Sequence, residues 1–243
     1  MQEWLSASRR RIEEDLVGSS EWWYFSPALY AQYRTVAPLI DRYVQGRTID
    51  LGCGLMPFRD LLRERGVIYH SLDLWPRLSE VTYVGDIQDM PMVPTAGYDS
   101  AICLEVLEHV PHPFRAAREI HRVLKPGGVA IVSVPHLSRL HDQPHDYSRF
   151  TIHGLRRLLE EAGFEVLEVQ TKGGGFSFLG HQVSTLLLGT AWPVWGIRQV
   201  AWFLNKWLIT YLLYRIDKIL GASDLFALGY VGVARKPHGE PED

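Results

Sequence analysis

The chain has 243 residues, 47% hydrophobic and 22% charged, which excludes a disordered chain and fits one large α/β domain or a domain with an insertion. A formal net charge of −3 argues against a nucleic-acid partner, which usually needs a basic surface. Two cysteines, Cys53 and Cys103, are too few for a disulfide framework, so a reducing cytoplasm is the expected setting.

The opening "MQEWLSASRRRIEEDL" has no apolar core followed by a small-residue cleavage site and is not expected to be a signal peptide. Residues 1–46 read as a helical, aromatic cap, with breaks expected at Pro27 and Pro38. "RTIDLGCG" then reads as a strand and a tight glycine turn, and "FRDLLRERG" as a helix ended by Gly66. "VIYHSLDL" is a second strand closing on Asp73, and "VTYVGDI" a short third. "YDSAICLEVLEHV" carries a fourth strand and a turn, and "PFRAAREIHRVLKPGG" a helix. "VAIVSVP" is a fifth strand, "TIHGLRRLLEEAG" a helix with Thr151 as its N-cap, and "FEVLEVQTK" a sixth strand. "LFALGYVGVARK" is a seventh, and a polar tail follows over 237–243. Strands alternating with helices predict a mostly parallel sheet covered on both faces. Only the last two strands break the alternation.

After the first strand, Gly52 and Gly54 allow a sharp turn and close approach to a ligand. A dinucleotide fingerprint would want glycine at position 57, which is Pro57. Asp50, ahead of the glycines, would repel a pyrophosphate and suits a ligand bearing positive charge.

"TIDLGCG", "YHSLDL", "VGDIQDMP", "YDSAICLEVLEHV" and "IHRVLKPGGVAIVSVP" resemble, in order and spacing, the motifs of class I S-adenosylmethionine-dependent methyltransferases of the type 11 kind. The resemblance covers residues 47–172 and 225–236 and implies a seven-stranded α/β sheet with an antiparallel last strand. It implies that Asp50, Gly52 and Gly54 surround the methionine part of the cofactor. Asp73 would bind the ribose hydroxyls, Asp86 and Ile87 the adenine, and Leu104 the cofactor amine through its backbone; Cys53 and Leu74 join this set. The family implies methyl transfer, here expected onto an oxygen of a small apolar, phenolic or lipid-linked acceptor. Transfer to nitrogen or carbon is the nearest enzymatic alternative, and a membrane-associated cofactor-binding protein without turnover is another.

"EVLEHV" followed by "PHDYSRFT" resembles the Glu-x-x-Glu-His and later His of ubiquinone-pathway O-methyltransferases and small-RNA 2′-O-methyltransferases. That resemblance implies a site of Glu105, Glu108, His109 and His145. Such a donor set suits Mn²⁺, Fe²⁺ or Zn²⁺ better than Mg²⁺. Without metal, His109 or His145 could serve as general base, and a purely structural role stays open. His136, His141 and His145 in the adjoining "HLSRLHDQPHDYSRF" match no closed zinc pattern and read as a loop with substrate contacts.

Residues 173–224 form an apolar helical insertion holding Trp192, Trp195, Trp202 and Trp207, half of the eight tryptophans. No charged residue occurs from Gly173 to Ile197, while Gly189, Pro193 and Gly196 argue against one straight helix. Topology predicts that the insertion emerges beside the ligand edge of the sheet. A lid, a homodimer interface, peripheral membrane docking and a bilayer span are all open from the sequence.

Overall fold

A computed structural model describes residues 2–221, 223 and 225–238. Most of the expected tail lies outside these residues. The chain divides into two compact units, one of residues 36–170 and 229–243, the other of residues 1–35 and 171–228.

The larger unit is built on a seven-stranded sheet. Its strands are β1 (Arg47–Leu51), β2 (Ile68–Asp73), β3 (Tyr83–Val84), β4 (Tyr98–Leu104), β5 (Leu124–Pro135), β6 (Glu165–Lys172) and β7 (Gly229–Arg235). They lie in the order β3-β2-β1-β4-β5-β7-β6. Pairing is parallel from β3 through β5, and β7 runs antiparallel to β5, with Pro135 opposite Gly229. The central strands are buried along nearly their whole length, as β-branched runs covered on both faces should be. The helices α3 (Arg59–Glu64), α4 (Pro113–Val123) and α5 (Ile152–Glu161) follow β1, β4 and β5 in the chain. Leu155, Leu158 and Leu159 of α5 are fully buried, and the Thr151 hydroxyl caps that helix by accepting from the Gly154 amide at 3.0 Å.

The expected break at Pro27 occurs, since a 3₁₀ turn ends at Tyr24 and the next helix starts at Pro27, but the one expected at Pro38 does not. α2 runs unbroken from Pro27 to Tyr43. Pro27 stands at the first position, where its missing N–H costs nothing. Pro38 forfeits one bond to the preceding turn, but Val36, Leu39 and Ile40 around it are buried, and that burial outweighs the loss.

The smaller unit is helical: α1 (Gln2–Leu16), a 3₁₀ turn (Ser20–Tyr24), the start of α2, α6 (Gly175–Ala191), α7 (Ile197–Leu204), a π-helical stretch (Asn205–Leu212) and α8 (Leu213–Leu220). The chain breaks between α6 and α7 at Pro193 and Gly196, where no continuous helix was expected. No helix among the described residues is long and apolar enough to cross a membrane, which overturns the bilayer-span alternative.

Asp217 closes this unit. Its buried carboxylate accepts the Phe176 amide at 2.9 Å and the Ser177 amide at 2.8 Å, capping α6 from α8. Two charge-assisted bonds at a helix N-terminus give the carboxylate a large share of the hairpin's stability. We expect Asp217→Ala to destabilise the helical unit by about 2–4 kcal/mol, seen as an earlier unfolding transition in urea. An unchanged midpoint would remove this cap from the account.

Candidate active site

The glycine turn at the end of β1 is shaped by backbone need. Gly52 has φ +73°, and a Cβ there would lie 2.4 Å from Val106 Cγ2. Gly54, φ +51°, has open space where its Cβ would be. The first glycine thus lets the stretch after β4 pack onto the turn, and the second leaves the turn approachable from outside. Gly52→Ala forces a methyl against Val106 and a strained φ together. It should lower stability by about 2–4 kcal/mol in denaturant titration.

Two acids face this turn. Asp73, at the carboxyl end of β2, accepts the Gly54 amide at 2.8 Å and the Trp75 amide at 2.9 Å, which orients both of its oxygens. Asp50 is 5% exposed and accepts the Tyr69 hydroxyl at 2.8 Å. Burial pushes the Asp50 carboxyl up to about 7; the Tyr69 bond opposes this and the Asp73 charge adds to it. Near neutral pH this carboxyl is therefore poised to ionise when a cation arrives. Burial beside the two acids also raises the Cys53 thiol to about 12, so Cys53 is a neutral wall of the turn.

Around these lie the remaining predicted positions. Asp86 accepts the backbone and side-chain amides of Gln88, forming a tight turn just after β3, and Ile87 is buried. Leu104 ends β4, and Leu74, half-exposed, follows Asp73. All nine predicted cofactor positions therefore fall at or just beyond the carboxyl ends of β1, β2, β3 and β4, where open α/β sheets hold their ligands.

The Glu-x-x-Glu-His stretch is brought to the same edge by the Val106 contact. Glu105 has φ +57°, a left-handed conformation uncommon for a residue with a side chain. It is held there by Ser133: the Glu105 amide donates to the Ser133 carbonyl at 3.1 Å, and the Ser133 hydroxyl donates to Glu105 Oε1 at 2.8 Å. A 3₁₀ turn (Leu107–His109) follows, with Glu108 fully buried.

The loop after β5 is pinned directly onto this turn. The Glu108 carbonyl accepts the Tyr147 amide at 2.8 Å and the Ser148 amide at 3.3 Å. Arg149 grips Asp146 with two nitrogens, at 2.6 and 2.8 Å, and this pairing holds the Asp146 carboxyl down at about 2. Asp146 in turn accepts the His141 amide at 2.9 Å. His141 is thereby carried to Glu108.

The result differs from the set implied by the Glu-x-x-Glu-His resemblance. Glu108, His109 and His141 offer ligand atoms that all lie within 4.8 Å of one another. Glu105 turns to Ser133 instead. His145 contributes its carbonyl, 2.6 Å from His109 Nδ1, while its ring packs 5.1 Å from Trp75. A carbonyl only accepts, so His109 Nδ1 carries hydrogen and the neutral ring's lone pair is on Nε2, 3.6 Å from Glu108. His141 is arranged alike. Its Nδ1 meets the Arg139 carbonyl at 3.2 Å, closer than the Arg149 guanidinium at 3.5 Å, and its Nε2 lies 4.0 Å from Glu108. Two imidazole lone pairs thus converge on one buried carboxylate. Burial and the His109 ring press the His141 pKa below the usual histidine value.

Two of these features carry no signal in the sequence. Tyr69 is one residue of an alternating strand, and its pairing with Asp50 depends on β1 and β2 being in register, Asp50 beside Ser71. His141 stood in a histidine-rich loop, but nothing in its spacing says which ring turns inward.

Comparison with known proteins gives the family and the fold. Residues 23–169, more than half the chain, match the model of a methyltransferase domain family. A ubiquinone biosynthesis O-methyltransferase of Xanthomonas oryzae pv. oryzae (strain PXO99A) is 31% identical over 100 residues, 36% of this chain and 42% of the relative. The corresponding protein of Xanthomonas campestris pv. campestris (strain B100) is 29% identical over the same share. The chain thus spans less than half the length of these curated relatives. Among solved structures, a SAM-dependent methyltransferase from Archaeoglobus fulgidus superposes with TM-score 0.58 at 17% identity, covering 94% of this chain and 99% of that one. The [4+2]-cyclase SpnF gives TM-score 0.58 at 23% identity, covering 84% and 80%. At such identities these two matches establish the fold alone.

Proposed function

Because the chain belongs to the class I S-adenosylmethionine-dependent methyltransferases, we propose that it methylates an oxygen of a small apolar, phenolic or lipid-linked acceptor. The observation that carries the choice of oxygen is the Glu108–His109–His141 cluster, an imidazole nitrogen beside a buried carboxylate. A hydroxyl must lose a proton to become a strong nucleophile, and an imidazole titrates in the right range.

The cofactor supplies an electrophilic methyl carbon on a sulfonium. Asp50 and Asp73 supply the negative charge that suits such a cation, and the open side of Gly54 admits it to the turn. Asp73 is the ribose ligand in this reading, Asp86 and Ile87 border the adenine, and Leu104 faces the cofactor amine. His109 Nε2 takes the hydroxyl proton as the acceptor oxygen bonds to the methyl carbon. S-adenosylmethionine, when bound, would supply the methyl carbon and keep the C–S electron pair on its sulfur as a neutral thioether, while Glu108 stabilises the imidazolium. Positioning carries most of the rate, since in-line displacement needs donor and acceptor held in contact.

The convergence of two Nε2 atoms on Glu108 favours a second reading of the same cluster. Each Nδ1 is anchored on a backbone carbonyl, the outer-shell arrangement that metal-ligating histidines show. These three side chains fit a borderline divalent ion such as Mn²⁺, Fe²⁺ or Zn²⁺, which would polarise the acceptor oxygen.

Methyl-labelled S-adenosylmethionine, offered with phenols, catechols and lipid-linked phenols, tests the proposal. Label recovered as an O-methyl ether supports it. Label on nitrogen or carbon, or cofactor binding with no transfer to any acceptor, overturns it.

A further inference from the structure

In the smaller unit, α6 and the arm from α7 to α8 turn most of their large apolar side chains outward. On α6 the buried positions are Ser177, Gly180, Ser184, Leu188, Gly189 and Ala191, mostly small or hydroxylic. The outward stripe of the same helix is Phe176, Leu179, Val183 and Leu186, with Leu179 60% exposed. Helices that pack in water show the reverse, with large apolar side chains inward and polar ones outward.

The second arm repeats the pattern. Its buried positions are Ala201, Asn205, Thr210, Tyr214 and Asp217. The step of five from Asn205 to Thr210 falls in the π-helical stretch, whose wider turn brings both onto one face. There Asn205 Nδ2 donates to the Tyr24 carbonyl at 2.9 Å, and the Ser184 hydroxyl of α6 donates to the Phe25 carbonyl at 3.1 Å. Val200, Phe203, Trp207, Leu208 and Leu212 point outward instead. Trp195, in the turn joining the arms, is 77% exposed.

Charge narrows the choice of occupant. Between Gly173 and Leu220 the charged residues are Arg198, Lys206, Arg215, Asp217 and Lys218. The single acid is buried as the α6 cap, whereas Arg215 and Lys218 are exposed. Every outward charge on the hairpin is therefore positive. Small and polar side chains between helices with large apolar ones outside is the arrangement of helices surrounded by lipid. Exposed tryptophan and basic residues beside that surface are the marks of an interfacial segment.

We propose that the α6–α7–α8 hairpin seats itself in one leaflet of an anionic phospholipid membrane, without spanning it. Its outer stripes enter the acyl region, and Arg215 and Lys218 meet the headgroup phosphates. This inference does not depend on the methyl-transfer reading.

Flotation of the full chain with vesicles tests it, using phosphatidylcholine alone and phosphatidylcholine mixed with phosphatidylglycerol. The chain should float with the mixed vesicles, less with phosphatidylcholine alone, and added salt should weaken but not abolish binding. Leu179→Gln with Phe203→Gln should lower partitioning by about tenfold or more, because each buried large apolar side chain is worth roughly a decade of affinity. Both positions are exposed, so the fold and cofactor affinity should be unchanged. In the unaltered chain, brominated acyl chains should quench tryptophan emission. No flotation at either composition, no quenching, or full binding by the double variant overturns the proposal. So does a stable dimer in vesicle-free buffer that the double variant converts to monomer, since a second copy would then cover the face.

Discussion

Replacing His109 by Gln should lower the turnover number by about 10²–10⁴-fold while leaving cofactor affinity within a few-fold of the parent. The amide keeps a polar group near His145 but has no basic lone pair, so proton removal from the acceptor is what fails. Glu108→Gln should fall in the same direction by a smaller factor, because it removes the charge that stabilises the imidazolium and not the base. Single-turnover measurement of methyl transfer alongside calorimetric titration of S-adenosylmethionine separates chemistry from binding. Equal loss of affinity and turnover would make the cluster a structural support. Chelator then divides the two readings of the cluster. Activity that falls in excess chelator and returns with Mn²⁺ or Zn²⁺ assigns it to metal, and full activity in chelator leaves His109 as a free base.

The second large effect is a pH dependence of cofactor binding. The Asp50 carboxyl, ordinarily near 3.8, is pushed up to about 7 by burial. In the free protein it is protonated below about pH 7, and a cationic ligand requires it ionised. S-adenosylmethionine affinity should therefore rise with pH up to about 7 and level off above it, falling by up to about tenfold for each pH unit below. Stability of the free protein runs the opposite way. The folded pKa lies above the unfolded one, so Asp50's contribution is fully present below about 4 and is lost as pH rises to about 7. Asp50→Asn should weaken binding at pH 8 and flatten its pH profile. Tyr69→Phe removes the bond that favours the carboxylate, so the profile should move to higher pH. A parent profile that is flat between pH 6 and 8 would exclude Asp50 from the cofactor's electrostatics.

Much of the larger unit was legible because its signals are local. Short apolar runs, the glycines after Asp50, and an acid ending β2 each depend on a few neighbouring residues, and all recur in the structure at the expected places. The Thr151 cap was readable for the same reason. Pro38 reads as a break because proline's cost is local, whereas the burial of Val36, Leu39 and Ile40 that offsets it is tertiary.

The sequence by itself therefore determined the fold class, the glycine turn and the strand-end acids. What it could not carry was side-chain direction across long separations. Whether His141 or His145 turns its ring to Glu108 is decided by the Arg149–Asp146 grip and by two amides on the Glu108 carbonyl, which exist only once the loop is docked. Apolar content marked residues 173–224 as unusual, but which face of each helix is buried depends on Asp217 reaching back 41 residues to Phe176, and on the π turn that aligns Asn205 with Thr210. Those bonds put the small and polar side chains inside, and the large apolar ones were left outside.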